Sequence, residues 1–525
     1  MNSSEWLDAR KDELIERLTE LCSIRSVQDE PCALTDEEGK PAESAPFGRG
    51  VHEALQYALR MGEKDGFESF NDENYGGHLE WRPEGYEGDD YFAVIGHLDV
   101  VPEGNGWTRE PYKPSIEGGR LYARGSIDDK GPLMAAYYAA RSLKETGFKP
   151  KLPLRIILGA DEETGWKGIE HYFRKQKAPV AGFTPDADFP VIQGEMGLLI
   201  FEIAKKLSPA QAEGLELRSI KGGSAPNMVA DRARAVIREK TLPAGGKKKK
   251  KSAASEKKNS GTFDRIKELA KLYREEKGYA LSVKGVGKNL EIVASGKTAH
   301  GAMPWEGVNA ISILMDFLSG INFVNEDANE FIDFYVRHIG FDFHGERLGC
   351  AFEDKASGKL ILNTGMVSMD ENAASLTINI RFPVTLGSEK ADAPAEELIV
   401  DGTDASGFEA VYAGIQPILD SYDMGLVRLK EHPPIYMPES SRLVSELMAA
   451  YRDVTGDEEA KPLTIGGGTY ARSTQNVLGF GMVFPGREAV EHQADEYVEL
   501  EDIWKASKVY AEALKRLLSE EAPEA

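Results

Sequence analysis

A chain of 525 residues exceeds what one compact core accommodates, so two or more domains are expected. Its 41% apolar and 29% charged residues match an ordinary soluble globular protein, and a formal charge of -24 argues against nucleic acid or an anionic membrane as partner. The three cysteines (Cys22, Cys32, Cys350) fall in no metal-ligand or disulfide spacing, no apolar run is long enough to span a membrane, and residues 1–6 carry no export signal, so a reduced cytoplasm is expected.

Residues 4–22 read as an amphipathic helix with Ser4 as its cap and Leu7, Leu14, Leu18 and Leu21 along one face. A second helix is expected over 50–64. The apolar run Ala93-Val94-Ile95-Gly96 then enters His97-Leu98-Asp99 as a strand end. After a loop rich in Gly, Pro and Trp at 102–120, a helix starts at Lys130, with Pro132 in its first turn, and Gly147 stops it. Its inward residues are expected to be Leu133, Met134, Tyr137, Ala140 and Leu143. Residues 152–159 form the next strand and run into Asp161-Glu162-Glu163-Thr164-Gly165. Strand, helix and strand in this order imply a parallel βαβ unit, whose ligands sit beyond the carboxyl ends of the strands.

The character changes after residue 207. Residues 208–260 are polar, and the uninterrupted lysines at 247–251 read as a solvated loop. Strand-like segments at 279–283, 290–294, 359–362 and 376–382 follow, separated by helical stretches at 262–276 and 307–319. From Pro433 the earlier style returns, with a helix at 440–455 ended by Gly456, a glycine-rich loop at 466–470 and a closing helix at 501–518. The expected fold is α/β, with a mixed, mostly parallel sheet flanked by helices built from residues 1–207 and 434–525 and an inserted α+β domain at 208–433.

His97 and Asp99 lie two apart on a strand, so they share a face and can touch, as an imidazole held by a carboxylate does in metal sites. Asp128-Asp129 and Glu162-Glu163 each adjoin a turn at a strand–helix junction, where burying like charges side by side is costly unless cations neutralise them. Pro185-Asp186-Ala187-Asp188 is a third acidic cluster. Two divalent cations and a hydroxide would balance Asp128, Glu163 and Asp186, leaving His97 and His492 as neutral ligands; such an oxygen and nitrogen set suits zinc, manganese or cobalt. His300 lies in the turn-rich Gly296-Lys297-Thr298-Ala299-His300-Gly301. Any one of these histidines, taken alone, is as readily a surface or core residue.

The ordered set GHLDVVP, GSIDDKGP, DEETG, TPDADFP, HGAMPWEGVNA, GGGTYAR and EHQADEY resembles the co-catalytic dimetal (zinc) metallopeptidases that include carboxypeptidase G and succinyl-diaminopimelate desuccinylase. The likeness extends from Leu21 to beyond His492 and is greatest to the peptidase V or Xaa-His dipeptidase branch, through TPDADFP, GGGTYAR and the long insert. It implies that Asp128 bridges two metals, that His97 and Asp186 complete one, and that Glu163 and His492 complete the other. Asp99 would orient His97, Glu162 would be the general base, and His300 would reach the reacting carbonyl oxygen from a lid domain. Arg381 would hold the substrate carboxylate, Asn227 the substrate's other end, and the Asp128–Asp129 peptide would be cis. Residues 208–260 depart from the family's lid.

The activity implied is that of a cytoplasmic, monomeric dipeptidase with two Zn2+ ions (or Mn2+ or Co2+), in which Glu162 deprotonates a metal-bridging water. An N-acyl amino acid amidohydrolase, such as a desuccinylase or an acetylornithine deacetylase-like enzyme, would use the same ligands, since both reactions break an amide. A protein that binds ligand in the cleft without catalysis is the third possibility, and it would have no need for the base beside all five ligands.

Overall fold

The computed structural model describes residues 1–35, 41–241, 253–387, 400–401 and 406–519. The chain forms two compact units, one of Met1–Gly194, Pro394–Gly402 and Ile435–Ala525, the other of Glu195–Ala393 and Thr403–Pro434.

The first unit is built on a ten-stranded mixed sheet. At its centre Phe92–His97 lies parallel to Leu154–Gly159 on one side and to Ala181–Thr184 on the other, and Val477–Gly479 runs parallel to Ala181–Thr184. His97 pairs with Gly159, so the chain leaves both strands at the same edge, into Leu98-Asp99 and into Ala160-Asp161-Glu162-Glu163. The strand ending at Thr184 delivers Pro185-Asp186 to that edge as well. Apolar runs buried on both faces are what parallel strands covered by helices require, and Phe92, Ala93, Val94 and Ile95 are all buried.

The helix Lys130–Glu145 was expected to bury one stripe, but every residue from Lys130 to Leu143 is buried. It packs between the sheet and the helices Ser3–Asp8, Lys11–Cys22 and Leu500–Leu517. Ala135, Ala136, Ala139 and Ala140 give it a slender surface that allows neighbours on several sides. The N-terminal helix is two: Ser3–Asp8, capped by Asn2 in a capping box with Glu5 rather than by Ser4, and Lys11–Cys22, with Arg10 at a non-helical φ of -123° between them. Gly456 ends Arg442–Thr455 in the left-handed conformation, as its position implies.

The second unit carries an eight-stranded sheet, antiparallel at each described pairing. The expected boundary at 207/208 is corrected here. Gly197–Lys206 pairs with Ala373–Phe382 and with Gly425–His432, so it belongs to this sheet and the unit begins at Glu195. Within the polar segment 208–260, Gly214–Gly222 and Arg232–Lys240 pair as strands of this sheet and bury Leu217, Ile220, Ala233, Ala235 and Ile237. Charged residues alternating with these small and apolar ones make the average composition polar, while the alternation itself is that of a strand with one buried face. The lysine run at 247–251 lies outside the described residues. Among the described residues no helix is long and apolar enough to cross a membrane.

Candidate metal centre and active site

His97 ends its strand fully buried. Its backbone N–H donates to Asp129 Oδ2 at 3.0 Å, and its ring Nδ1 lies 3.0 Å from the carbonyl oxygen of Asp99. Gly96 makes the first bond possible, because a Cβ there would stand 2.4 Å from Asp129 Oδ2. The Asp99 carboxylate stands 3.6 Å from the same Nδ1, so residue 99 faces the ring with both its carbonyl and its side chain, the carbonyl being the nearer. The carboxylate also accepts the amides of Glu162 and Glu163, each at 3.1 Å, because the left-handed turn at Asp161 (φ +78°) aims them at the strand end. Asp99 thus sets the acidic turn against the histidine strand. The Asp128–Asp129 peptide is cis, as the resemblance implied.

The two oxygens of Asp128 face different imidazoles. Oδ1 lies 3.0 Å from His97 Nε2, which is also 3.5 Å from Asp186 Oδ2. Oδ2 lies 2.9 Å from His492 Nε2, which is 3.1 Å from Glu163 Oε2. Two histidine–carboxylate pairs therefore share one aspartate. One ligand atom each from His97, Asp128 and Glu163 also falls within 4.8 Å of the others. His97 Nε2 and Glu163 Oε1 are buried with no aligned hydrogen-bond partner, as donors gathered around common centres would be. These nitrogen and carboxylate donors fit divalent zinc, manganese or cobalt.

The electrostatics agree with that fit. Burial would raise Asp128, yet the imidazoles of His492 and His97 beside its two oxygens hold it below the usual carboxylate range. His492 is pushed up to about 11 by Asp128 and Glu163. Burial drives Glu162 well above the ordinary range against the charge of His97, and Asp186, Glu163 and Asp128 add to the rise. Its Oε1 accepts the indole N–H of Trp166 at 3.1 Å. A raised carboxylic group beside a metal-type donor set is what proton transfer near neutral pH needs.

His300, Asn227 and Arg381 come together in the second unit. Met228 pairs antiparallel with His300, and the Gly301 amide donates to the Asn227 carbonyl at 2.7 Å. The Ala302 amide donates to His300 Nδ1 at 3.3 Å, which leaves the ring proton on Nε2. Burial and the charge of Arg381 lower the His300 pKa, so the ring is neutral at pH 7. Arg381 is 5% exposed and donates Nε to Asn379 Oδ1 at 3.2 Å. Asn363, the cross-strand partner of Asn379, donates to the carbonyls of Pro226 and Met228 at 3.1 and 2.9 Å and so fastens the Asn227 loop to the same sheet.

Sequence reasoning did not single out Arg124, Glu496, Trp166 or Tyr470. Arg124 and Glu496 form a fully buried ion pair at 2.5 Å, and the Tyr470 ring stands edge-on to His97 at 6.0 Å. Arg124 and Tyr470 fall in or beside quoted motifs and Glu496 falls within EHQADEY, but charged and aromatic residues carry no sign of burial in a sequence.

Residues 93–516 match the family model "Peptidase family M20/M25/M40". A dipeptidase-named protein of Bacillus subtilis (strain 168), YtjP, is 35% identical over 519 residues, covering 98% of this chain and 100% of that protein. Another of Staphylococcus haemolyticus (strain JCSC1435), SH1171, is 32% identical over 519 residues, with 98% and 99% covered. Among solved structures, human carnosine dipeptidase 1 shares the fold at a TM-score of 0.51 and 14% identity, covering 99% of this chain and 98% of that one. Aminoacylhistidine dipeptidase from Vibrio alginolyticus gives a TM-score of 0.51 at 14% identity, with 97% of each chain covered. With its family model spanning most of the chain and its relatives matched end to end, the protein belongs to peptidase family M20/M25/M40 and is a hydrolase of peptide bonds.

Proposed function

We propose that the protein is a dimetal dipeptidase, Xaa-His or peptidase V-like in its preference, and the observation that carries this is the sharing of Asp128 between two histidine–carboxylate pairs. The dipeptidase names of its relatives support the substrate class. His97, Asp128 and Asp186 would hold one ion and Asp128, Glu163 and His492 the other, zinc being the first choice. When bound, two such ions polarise a carbonyl oxygen and lower the pKa of water. Glu162 takes a proton from the attacking water as the C–O bond forms. It returns that proton to the amine as the C–N bond breaks. His300 hydrogen-bonds through its Nε2–H to the oxygen that becomes negative, Arg381 holds the free carboxylate, and Asn227 meets the substrate's other end.

A substrate panel tests the reading. Wild type and Arg381→Lys are compared on free dipeptides, amidated dipeptides, and N-acetyl and N-succinyl amino acids. Free dipeptides are expected to be cut best. A lysine cannot reproduce the guanidinium's planar fork, and a hydrogen bond to a charged group is worth ~1.5–3 kcal/mol, so Arg381→Lys should lower kcat/KM roughly tenfold to a hundredfold. Amidation should cost wild type a similar factor and the variant little. Preference for N-acyl amino acids would make the enzyme an amidohydrolase of those compounds, and strictly additive losses would remove Arg381 as the clamp.

His300→Ala is expected to lower kcat while leaving the melting temperature and metal content unchanged. The histidine sits in a loop whose backbone pairing, Met228 with His300 and Gly301 with Asn227, does not use its ring. Removing one oxyanion donor typically costs on the order of 10²–10³ in kcat. An unchanged kcat would take His300 out of the mechanism.

A further inference from the structure

The two histidines of the centre are held by different means. His97 ends a strand, and Asp129 Oδ2 accepts its backbone N–H at 3.0 Å, which ties the Asp128–Asp129 turn to the His97 strand. His492 belongs to no strand or helix, has a left-handed φ of +62°, and leaves 53% of its side chain exposed. What ties its segment to the same turn comes four residues later. Glu496, fully buried, accepts through Oε1 the amides of Ile127 at 3.0 Å and Asp128 at 3.4 Å, while Oε2 takes Arg124 Nη1 at 2.5 Å. The Glu496 carbonyl accepts the Ala123 amide at 3.1 Å, beside the pairing of Tyr497–Glu499 with Arg120–Tyr122. Arg124 Nη2 in turn reaches the carbonyls of Pro102 and Glu103 at 3.4 and 3.3 Å.

We propose that Glu496 is a positioning residue that sets the His492 half of the metal centre, by fixing the backbone of the Asp128 turn to the segment that carries His492. The inference rests on the dimetal reading above. A buried carboxylate is tolerated only when paired and hydrogen-bonded. Here one oxygen is answered by Arg124 and the other gathers two amides, one of them the amide of the shared aspartate. Without Glu496 those amides lose their acceptor, and nothing else described joins the Ile127–Asp128 backbone to the 492–496 segment. The His97 half keeps its own anchor through Asp129.

The experiment titrates metal-stripped wild type, Glu496→Ala and Glu496→Gln with zinc by calorimetry, counts the metal retained after gel filtration, and follows folding by circular dichroism and thermal melting. Wild type should bind two ions. Glu496→Ala should hold one as wild type does and bind the other about 10–100-fold more weakly, the usual cost of losing a group that orients a ligand. Glu496→Gln keeps an oxygen for the two amides and should recover most of the second site. An Ala variant that binds both ions like wild type overturns the proposal, as does a folded Ala variant in which both sites weaken equally. A Gln variant no better than Ala also overturns it, since the charge on Arg124 would then matter and the amide bonds would not. If Glu496→Ala does not melt cooperatively, Glu496→Gln decides: a retained second site supports the proposal and a lost one overturns it. Wild type that binds fewer than two ions sinks the dimetal reading itself and this inference with it, whereas normal wild-type binding with an unchanged Ala variant sinks Glu496 alone.

Discussion

Stripping divalent metal with a chelator is expected to abolish peptide hydrolysis, and zinc, manganese or cobalt is expected to restore it at a stoichiometry near two per chain. The donor set explains both parts. Three carboxylates and two imidazoles converge, with Asp128 offering one oxygen to each imidazole. Without a cation, adjacent buried carboxylates repel, and Asp186, Glu163 and Glu162 are all held above the usual range, by burial first and by their neighbours second. Protons stand in for the metal in that state. The carboxylates raise His492 to about 11, above its ordinary 6.5, so the imidazole is charged at neutral pH and its pairing stabilises the metal-free fold until pH rises through that value. Ligation needs the neutral ring, so metal uptake must release protons. Apparent zinc affinity should therefore be tighter at about pH 8 than at about pH 6. Titrations in buffers of different ionisation enthalpy would show the proton release. Full activity in excess chelator with no bound metal would end the dimetal reading, and an affinity indifferent to pH would remove the two histidines from the ligand set.

Much of this centre is legible in the sequence because its ligands sit at the ends of apolar strands. Ala93-Val94-Ile95 is unmistakable as a strand, and whatever follows a parallel strand lies at the ligand-binding edge; His97, Glu162, Glu163 and Asp186 all follow that rule. The helix from Lys130 is legible through Pro132 in its first turn and Gly147 at its end, but its burial on all sides is not, since alanines read as neutral in a periodicity. Gly197–Lys206 opens on an apolar run, Leu198-Leu199-Ile200-Phe201, like those of the first unit, and only its partners at Ala373–Phe382 and Gly425–His432 reveal which sheet it joins. The spacing of Asp99 from His97 predicts their contact but not its second use, since the amides that Asp99 accepts lie more than sixty residues away. Glu496 and Arg124 escaped because a buried ion pair is indistinguishable from surface charge until the fold brings the partners together.

Glu162→Gln is expected to keep both metals and lose ~10²–10⁴ in kcat, the contribution of a positioned base, while Glu163→Gln is expected to lose a metal. The two glutamates are neighbours in one turn, and their amides are held by the same Asp99 carboxylate, yet the side chains meet different partners. Glu163 Oε2 lies 3.1 Å from His492 Nε2, within the ligand cluster. Glu162 Oε1 receives the Trp166 indole N–H, and Glu162 makes no ion pair with either imidazole among those described. Glutamine matches glutamate in shape and can still accept from Trp166, so the substitution removes the proton acceptor and little else. Metal counted per chain and the melting temperature should therefore stay at wild-type values while kcat falls and KM changes little, the pattern of an interaction made in the transition state. The pH profile gives a second measure. Burial raises Glu162, so wild-type kcat/KM should climb with pH as this group ionises and then level off, and the Gln variant should lack that limb. A Glu162→Gln enzyme at full rate would place the base elsewhere. If Glu162→Gln lost metal and Glu163→Gln lost only rate, the two roles would have to be exchanged, because only the ligand's loss can empty a site and only the base's loss can slow a fully loaded one.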